Sequence, residues 1–147
     1  MKDRNIVSLE HFIEAARDAG YTNIATALAE LIDNAFEAQA MSVRIEFEIS
    51  EDQELSVLIG DDGCGMAPTV LELALQFGGT TRFNSRTGAG RYGMGLPNGS
   101  LSQARRVEVV TWRNRRTVWK SYLDVDEIVS GELKSIPKSM RVGISYA

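Results

Sequence analysis

The sequence predicts an α+β fold, a two-layer α/β sandwich in which helices pack on one face of a mostly antiparallel sheet. In the first 40 residues, apolar side chains recur at helical spacing. Two later regions instead alternate apolar and polar residues, as strands with one solvated face do. The chain has 147 residues, 44% of them apolar, so we expect residues 1–147 to form one domain with a single core.

Two helices are expected first. One runs from Ser8 to Ala19, with Ser8 as its N-cap and Gly20 just after its end. The next runs from about Asn23 to Ala40, with Thr22 as its N-cap. Its apolar face is expected to consist of Ile24, Ala27, Leu28, Leu31, Ile32 and Ala35.

A strand hairpin and a short helix are expected next. Residues 43–49 and 55–59 have a period of two and flank a polar turn at Ser50–Gln53, which predicts a hairpin. A short helix should follow over Pro68–Gln76. Residues 78–95 contain six glycines and few residues of the buried type, which predicts a mobile functional loop.

The last third of the sequence predicts one helix and further strands. The helix covers Leu96–Ala104, and residues 107–122 should form a second hairpin that turns at Arg113–Arg116. Another strand should begin within Met140–Tyr146.

Composition excludes several classes of function. A net charge of −4 disfavours a chain that covers nucleic acid or acidic lipid with a basic surface. Cys64 is the only cysteine, so no intramolecular disulfide can form. The segment Met1–Glu10 lacks the apolar run of a secretion signal, and no stretch is apolar enough for a membrane span. We therefore expect a cytoplasmic protein without a membrane partner.

The first group of candidate site residues lies on the second helix. Glu30 and Asn34 are four residues apart and share one flank beside the apolar face. A glutamate there can take a proton from water, and an asparagine oxygen is a hard ligand that suits Mg²⁺. The alternative is that both residues, with Asp33 and Glu37, only form the solvated side of the helix.

The second group is the segment Asp61–Met66, directly after a strand. Gly63 and Gly65 let the backbone pass close to a ligand, and a buried carboxylate at a strand end can accept hydrogen bonds from an exocyclic amine such as that of adenine. The alternative is an ordinary Asp-Gly turn.

The third group consists of Gly88, Gly90, Gly93 and Gly95, which lead into a helix. Backbone N–H groups at a helix N-terminus bind anions, and phosphate is the natural guest. The spacing also matches a dinucleotide-binding fingerprint, but no apolar strand precedes it, so we reject that interpretation. A P-loop is excluded because no Gly-Lys-Ser/Thr follows.

Three segments in this order resemble the ATP-binding motifs of the GHKL superfamily, which has the Bergerat-type fold of DNA gyrase, the ninety-kilodalton heat-shock chaperone, histidine kinases and MutL. They are ELIDNAFEA at residues 30–38, DDGCGM at residues 61–66 and GRYGMGLP at residues 90–97. The third motif and its loop are more similar to the chaperone, MutL and microrchidia (MORC) branches than to histidine kinases.

The resemblance implies a role for each matching residue. Glu30 corresponds to the general base, Asn34 to the Mg²⁺ ligand and Asp61 to the carboxylate that reads adenine. The remaining nucleotide-binding positions are Gly63, Gly65, Met66, Gly90, Tyr92, Gly93, Met94 and Gly95. Arg82, Arg86 and Arg91 lie where a loop can bring a guanidinium to phosphate.

The implied function is Mg²⁺-dependent binding and slow hydrolysis of ATP that acts as a conformational switch, with a homodimer in the ATP-bound state. The alternatives are a histidine-kinase-type catalytic domain and a nucleotide-binding module without turnover. Family members have a further core strand that carries a threonine or serine beside the adenine. We expect this strand, and any further domains, to lie beyond Ala147. Within residues 1–147, Thr111 is a distant candidate for the adenine-binding hydroxyl. Nucleic acid is expected to bind only through such domains.

Two other features favour structural interpretations. His11 lies at an amphipathic boundary and is expected to be a surface or packed histidine. A late basic cluster is expected to be a solvated strand face, with nucleic acid as the alternative; it comprises Arg105, Arg106, Arg113, Arg115, Arg116 and Lys120.

Overall fold

The structure is a computed structural model that describes residues 8–18, 23–76 and 95–146. Helices and antiparallel strands alternate as the sequence predicts, which confirms the α+β class. The elements are α1 (Leu9–Asp18), α2 (Ile24–Glu37), β1 (Val43–Ile49), β2 (Leu55–Asp61), α3 (Pro68–Ala74), α4 (Gly95–Gln103), β3 (Arg106–Asn114), β4 (Thr117–Asp124), α5 (Val125–Ser130) and β5 (Met140–Val142), followed by a 3-10 turn (Ile144–Tyr146).

Side-chain caps define where the first two helices begin. The Oγ of Ser8 accepts a hydrogen bond from the backbone N–H of His11 at 3.2 Å, which confirms Ser8 as the cap of α1. The prediction of Thr22 as the cap of α2 is wrong. Asn23 has the extended backbone of a cap, and its Oδ1 accepts from the N–H of Thr26 at 2.9 Å, so it satisfies a free donor of the first turn.

Helix α2 ends at Glu37, three residues earlier than predicted. Gln39 has a left-handed φ of 61°, which no α-helix can continue. Its N–H donates to the carbonyl of Phe36 and the N–H of Ala40 donates to that of Ala35, at 2.9 and 3.0 Å. These two bonds form a Schellman motif, in which glycine usually takes the left-handed position.

The described strands form two antiparallel sheets. β1 pairs with β2 from Val43↔Asp61 to Ile49↔Leu55, and β3, β4 and β5 form a second sheet in that order. The strand expected within Met140–Tyr146 covers only the three residues of β5, since the chain then passes through Gly143 into the 3-10 turn.

Helix α5 was not predicted from the sequence. Asp124 is its N-cap, and its Oδ1 accepts hydrogen bonds from the N–H groups of Asp126 and Glu127. The glutamate three residues after the capping aspartate resembles a capping-box signal, which was present in the sequence. The helix ends at Gly131, which has a left-handed φ of 80°.

The main core lies against the β3–β4–β5 sheet and not against the β1–β2 hairpin. It joins α1, α3, α4 and α5 to β4 through the buried residues Ile13, Leu71, Leu75, Leu101, Leu123, Val125 and Ile128. On α2, Ala27 and Ala35 are buried, whereas Ile24 at its start is exposed. No helix in the described ranges is long and apolar enough to cross a membrane.

Candidate functional site

Two predicted site residues lie on one flank of α2. Glu30 and Asn34 are half-buried, whereas their neighbours Asp33 and Glu37 are exposed. Within the described ranges, neither the Glu30 carboxylate nor the Asn34 amide has a hydrogen-bond or ion-pair partner. Burial therefore separates these two residues from the solvated side of the helix.

Helix α4 meets α2 beside Glu30. A Cβ on Gly99 would lie 3.3 Å from the carbonyl oxygen of Ala27 and 3.8 Å from the Cβ of Glu30, so the glycine lets the two helices approach closely. Gly95, the first residue of α4, is one turn before this contact. Gly99 was not among the predicted site residues, although a glycine inside a helix costs about 1 kcal/mol relative to alanine and indicates close packing.

The segment from Asp61 to Met66 rests on the other end of α2. The N–H of Cys64 donates to the carbonyl of Ala38, the C-cap of α2, at 2.9 Å. Gly63 is required at this contact, since a Cβ there would lie 2.7 Å from both the Cβ of Ala38 and Oδ1 of Asp61. Ala38 follows Asn34 by one turn, so the first and second groups of candidate residues are neighbours.

The two adjacent aspartates have different partners. Oδ1 of Asp61 accepts a hydrogen bond from the N–H of Gly63 at 2.8 Å. Oδ1 of Asp62 accepts from the N–H groups of Ser42 and Met41, both at 2.8 Å, and these bonds lower the pKa of the Asp62 carboxyl. Asp62 therefore ties the loop to the start of β1, a role that the sequence analysis missed.

The expectation of a buried carboxylate at Asp61 is wrong. Asp61 is the last residue of β2, and it is exposed. An exposed carboxylate with one internal hydrogen bond keeps acceptor capacity for a ligand.

Gly65 and Met66 bind the loop to β3. Gly65 has a φ of +66°, and a Cβ there would lie 1.9 Å from the carbonyl oxygen of Trp112. The N–H of Met66 donates to the buried Oγ1 of Thr111 at 2.8 Å. Thr111, a distant candidate for the adenine-binding hydroxyl, thus holds the loop backbone in the structure.

A cavity of about 180 Å³ opens next to Met66. Its other lining residues are Ala67, Pro68, Arg113, Asn114, Thr117 and Trp119. A second cavity, of about 310 Å³, lies between α2 and β1 and is lined by Ile32, Phe36, Ala40, Met41, Ser42, Val43 and Ile45. Met66 is the one predicted site residue that lines either cavity.

Several predicted residues lie outside the described ranges. They are Gly90, Tyr92, Gly93 and Met94 of the third motif, and Gly88, Arg82, Arg86 and Arg91 of the preceding loop. Of the third motif's predicted site residues, the structure describes only Gly95. The described part of the candidate site therefore consists of one flank of α2, the loop after β2 and the start of α4.

Comparison with known proteins identifies the family. A family model described as histidine kinase-, DNA gyrase B-, and HSP90-like ATPase matches residues 21–142. This match covers most of the chain, so the chain belongs to the GHKL ATPase family.

Individual relatives lie in two of the branches that the third motif resembles. The chain is 38% identical over 87 residues to ATPase morc-1 of Caenorhabditis elegans, which covers 58% of this chain and 10% of that protein. It is 41% identical over 78 residues to human ATPase MORC2, covering 51% and 8%, respectively. It is 29% identical over 126 residues to the DNA mismatch repair protein MutL of Rhizorhabdus wittichii, covering 82% and 20%. The chain thus spans a fifth or less of the length of these relatives.

Proposed function

We propose that residues 1–147 form an ATP-binding domain that hydrolyses ATP slowly and uses the nucleotide as a conformational switch. The observation that carries this proposal is the arrangement around α2. Helix α4 contacts it at Glu30, the loop after β2 rests on Ala38, and Asn34 lies between them. Glu30 and Ala38 are eight residues apart, or about 12 Å along the helix axis.

Glu30 is proposed as the general base. A half-buried carboxylate without an internal partner in the described ranges can accept a proton from a water molecule that attacks the terminal phosphate. Burial at the edge of the core limits how the carboxylate can turn, which favours alignment of that water. The reaction then depends on positioning and charge stabilisation more than on covalent chemistry by the protein.

Asn34 is proposed as the protein ligand of Mg²⁺. The described residues contain no group of three or more acidic, histidine or cysteine side chains that could hold a metal by themselves. A single amide oxygen, that of Asn34, suits Mg²⁺, which typically takes few protein ligands and fills its octahedron with water and substrate phosphates. When bound, Mg²⁺ would neutralise charge on the phosphates, and Asn34 is one turn from Glu30.

The loop after β2 is proposed as the adenine site. The exposed carboxylate of Asp61 can accept a hydrogen bond from the exocyclic amine, and Gly63, Gly65 and Met66 shape the backbone beside it. Gly95 offers a backbone N–H at the start of α4, where the helix dipole favours phosphate. The proposed phosphate contacts of Gly90, Tyr92, Gly93 and Met94 rest on the motif alone.

The switch follows from differential binding. If the closed state contacts the phosphates better than the open state, ATP shifts the population toward closure and a homodimer. Family membership supports this proposal, since the matched family includes the gyrase B and HSP90-like ATPases.

Calorimetric titration with a non-hydrolysable ATP analogue, with and without Mg²⁺, tests nucleotide binding. The expected result is Mg²⁺-dependent binding that Asp61→Asn abolishes, because an amide cannot replace the carboxylate as a double acceptor. Asp62→Asn is the matched control, since its carboxylate faces the backbone of Met41 and Ser42. A folded chain that binds no analogue, or equal loss in both variants, would contradict the proposed adenine site.

Phosphate release from ATP tests hydrolysis separately. Glu30→Ala should abolish release and leave analogue binding intact, while Asp33→Ala, an exposed neighbour on the same helix, should leave both unchanged. Release that survives in Glu30→Ala would exclude Glu30 as the base. If the original chain binds ATP and releases no phosphate, the function is that of a nucleotide-binding module without turnover and not that of an ATPase. Transfer of a phosphate label from ATP to a partner protein would favour the histidine-kinase type of function.

A further inference from the structure

The tip of the β3–β4 hairpin carries an unusual charge pattern. Residues 109–123 and 133–147 contain no aspartate or glutamate, although the whole chain has a net charge of −4. The structure places parts of these two segments side by side, because β4 pairs with β5 through Val118↔Val142 and Trp119↔Arg141. Pairing therefore brings Arg141 to the hairpin that holds Arg113, Arg115 and Arg116.

Ion pairs divide the late basic cluster into two halves. At the base of the hairpin, Arg105 pairs with Asp126, Arg106 with Asp124, and Lys120 with Glu108. The hydrogen bond to Asp126 raises the pKa of Arg105. Each of these three cations therefore has a carboxylate partner.

At the tip, four arginines have no carboxylate within ion-pair distance among the described residues: Arg113, Arg115, Arg116 and Arg141. All four are exposed. We call these four residues the arginine tip. The arginines of the cluster are exposed, as the expected solvated strand face requires, and ion pairs divide the cluster into a paired half and a half of positive surface.

Local structure holds the arginine tip in a defined shape. The strand register shifts between Trp112 and Asn114, which leaves Arg113 as the extra residue of a bulge. Oδ1 of Asn114 accepts from the N–H of Arg116 at 3.0 Å, which closes the turn. The guanidinium of Arg141 donates to the carbonyl oxygen of Arg116 at 3.3 Å, which fixes the neighbouring strand against the turn.

We propose that the arginine tip binds the phosphate backbone of double-stranded nucleic acid. Guanidinium groups donate paired hydrogen bonds that match phosphate oxygens, and every free cation of the tip is an arginine. β5 pairs with β4 only from Val118 to Lys120, so the turn beyond the Trp112↔Val118 pair is two-stranded, and a two-stranded β-ribbon is narrow enough to enter the major groove. A lipid surface is disfavoured, because the exposed turn from Arg113 to Arg116 offers no apolar side chain to insert.

Fluorescence anisotropy with a labelled DNA duplex tests the proposal on the intact 147-residue chain. Four phosphate contacts predict that affinity falls about 150-fold between about 50 and about 200 mM salt. Arg115→Gln with Arg116→Gln removes two contacts and should reduce that fall to about 12-fold and weaken binding at low salt by more than about tenfold. Both substitutions lie in an exposed turn, and urea denaturation checks that the variant keeps its stability.

The matched control is Arg44→Gln with Arg105→Gln. This variant lowers the net charge equally, but both residues are exposed and pair with Glu46 and Asp126 outside the tip. It should bind the duplex like the original chain. Equal weakening in both variants would assign binding to net charge and overturn the proposal, as would absence of duplex binding at low salt. Binding to phosphatidylserine vesicles or polyglutamate without duplex binding would replace nucleic acid by a lipid or an acidic protein partner.

Discussion

Gly65→Ala should be among the most damaging single-methyl changes in this chain. The residue has a φ of +66°, and its Cβ would lie 1.9 Å from the carbonyl oxygen of Trp112. The left-handed backbone alone costs an alanine about 1–2 kcal/mol. The overlap is with backbone that cannot rotate away, so the loop must move from β3, which costs about a further 1–3 kcal/mol. The free energy of unfolding should fall by roughly 2–5 kcal/mol, a large part of the roughly 5–15 kcal/mol of a typical domain.

Two other glycines separate the contributions to this cost. Gly131 has a φ of +80° and open space around its Cβ position, so Gly131→Ala should cost only the backbone term of about 1–2 kcal/mol. Gly60 lies in β2 with an ordinary φ and nothing within 4 Å, so Gly60→Ala should be neutral or stabilise by about 0.5–1 kcal/mol.

Urea denaturation followed by circular dichroism measures all three variants, with the m-value as a check on the two-state transition. Because only Gly65 has backbone atoms at its Cβ position, Gly65→Ala should cost clearly more than Gly131→Ala. Equal costs would mean that the loop does not press against Trp112, and the described contact between the loop and β3 would then be wrong.

Three further predictions test other local features. Gln39→Gly should raise the free energy of unfolding by about 1 kcal/mol, because it removes the strain of a non-glycine residue with a left-handed φ at the end of α2. Thermal denaturation that shows no gain in stability would contradict the Schellman geometry. Thr111→Val should cost about 1–3 kcal/mol, because the N–H of Met66 loses its partner; Thr111→Ser keeps the hydroxyl and should recover most of the loss in the same urea assay. The lowered pKa of the Asp62 carboxyl contributes stability that is present above the ordinary pKa of 3.8 and is lost as the pH falls through the lower pKa of the folded state. Asp62→Asn should therefore flatten the acid dependence of the free energy of unfolding, measured by denaturation at a series of pH values. An unchanged pH profile would exclude the Asp62 carboxylate as the source of that dependence.

Local sequence signals were sufficient for most of the element order. Alternation in residues 43–49 and 55–59 predicted β1 and β2 because period-two patterning depends on neighbouring residues alone. Errors of position arose where several residues can perform one local role. Thr22 and Asn23 are both good caps, and Asn23 is the residue whose extended backbone brings its Oδ1 to the N–H of Thr26.

Site chemistry was less accessible to sequence reasoning than element type. The motif of residues 61–66 contains two adjacent aspartates, and the sequence gives no reason to assign them different partners. Asp62 accepts two backbone hydrogen bonds from the start of β1, which lies some 20 residues earlier in the chain. Such partners depend on how the chain folds back, and the same holds for the exposure of Asp61.

The sequence by itself determined the α+β class, the helical spacing of Glu30 and Asn34, and the three motifs that indicate the GHKL family. Only the tertiary structure decided that Glu30 and Asn34 are half-buried, that Gly63 and Gly65 are required by Ala38 and Trp112, and that the basic cluster divides into a paired base and an arginine tip. The physical reason is that periodicity and motifs are properties of neighbours along the chain, whereas burial, steric contact and charge pairing are properties of neighbours in space.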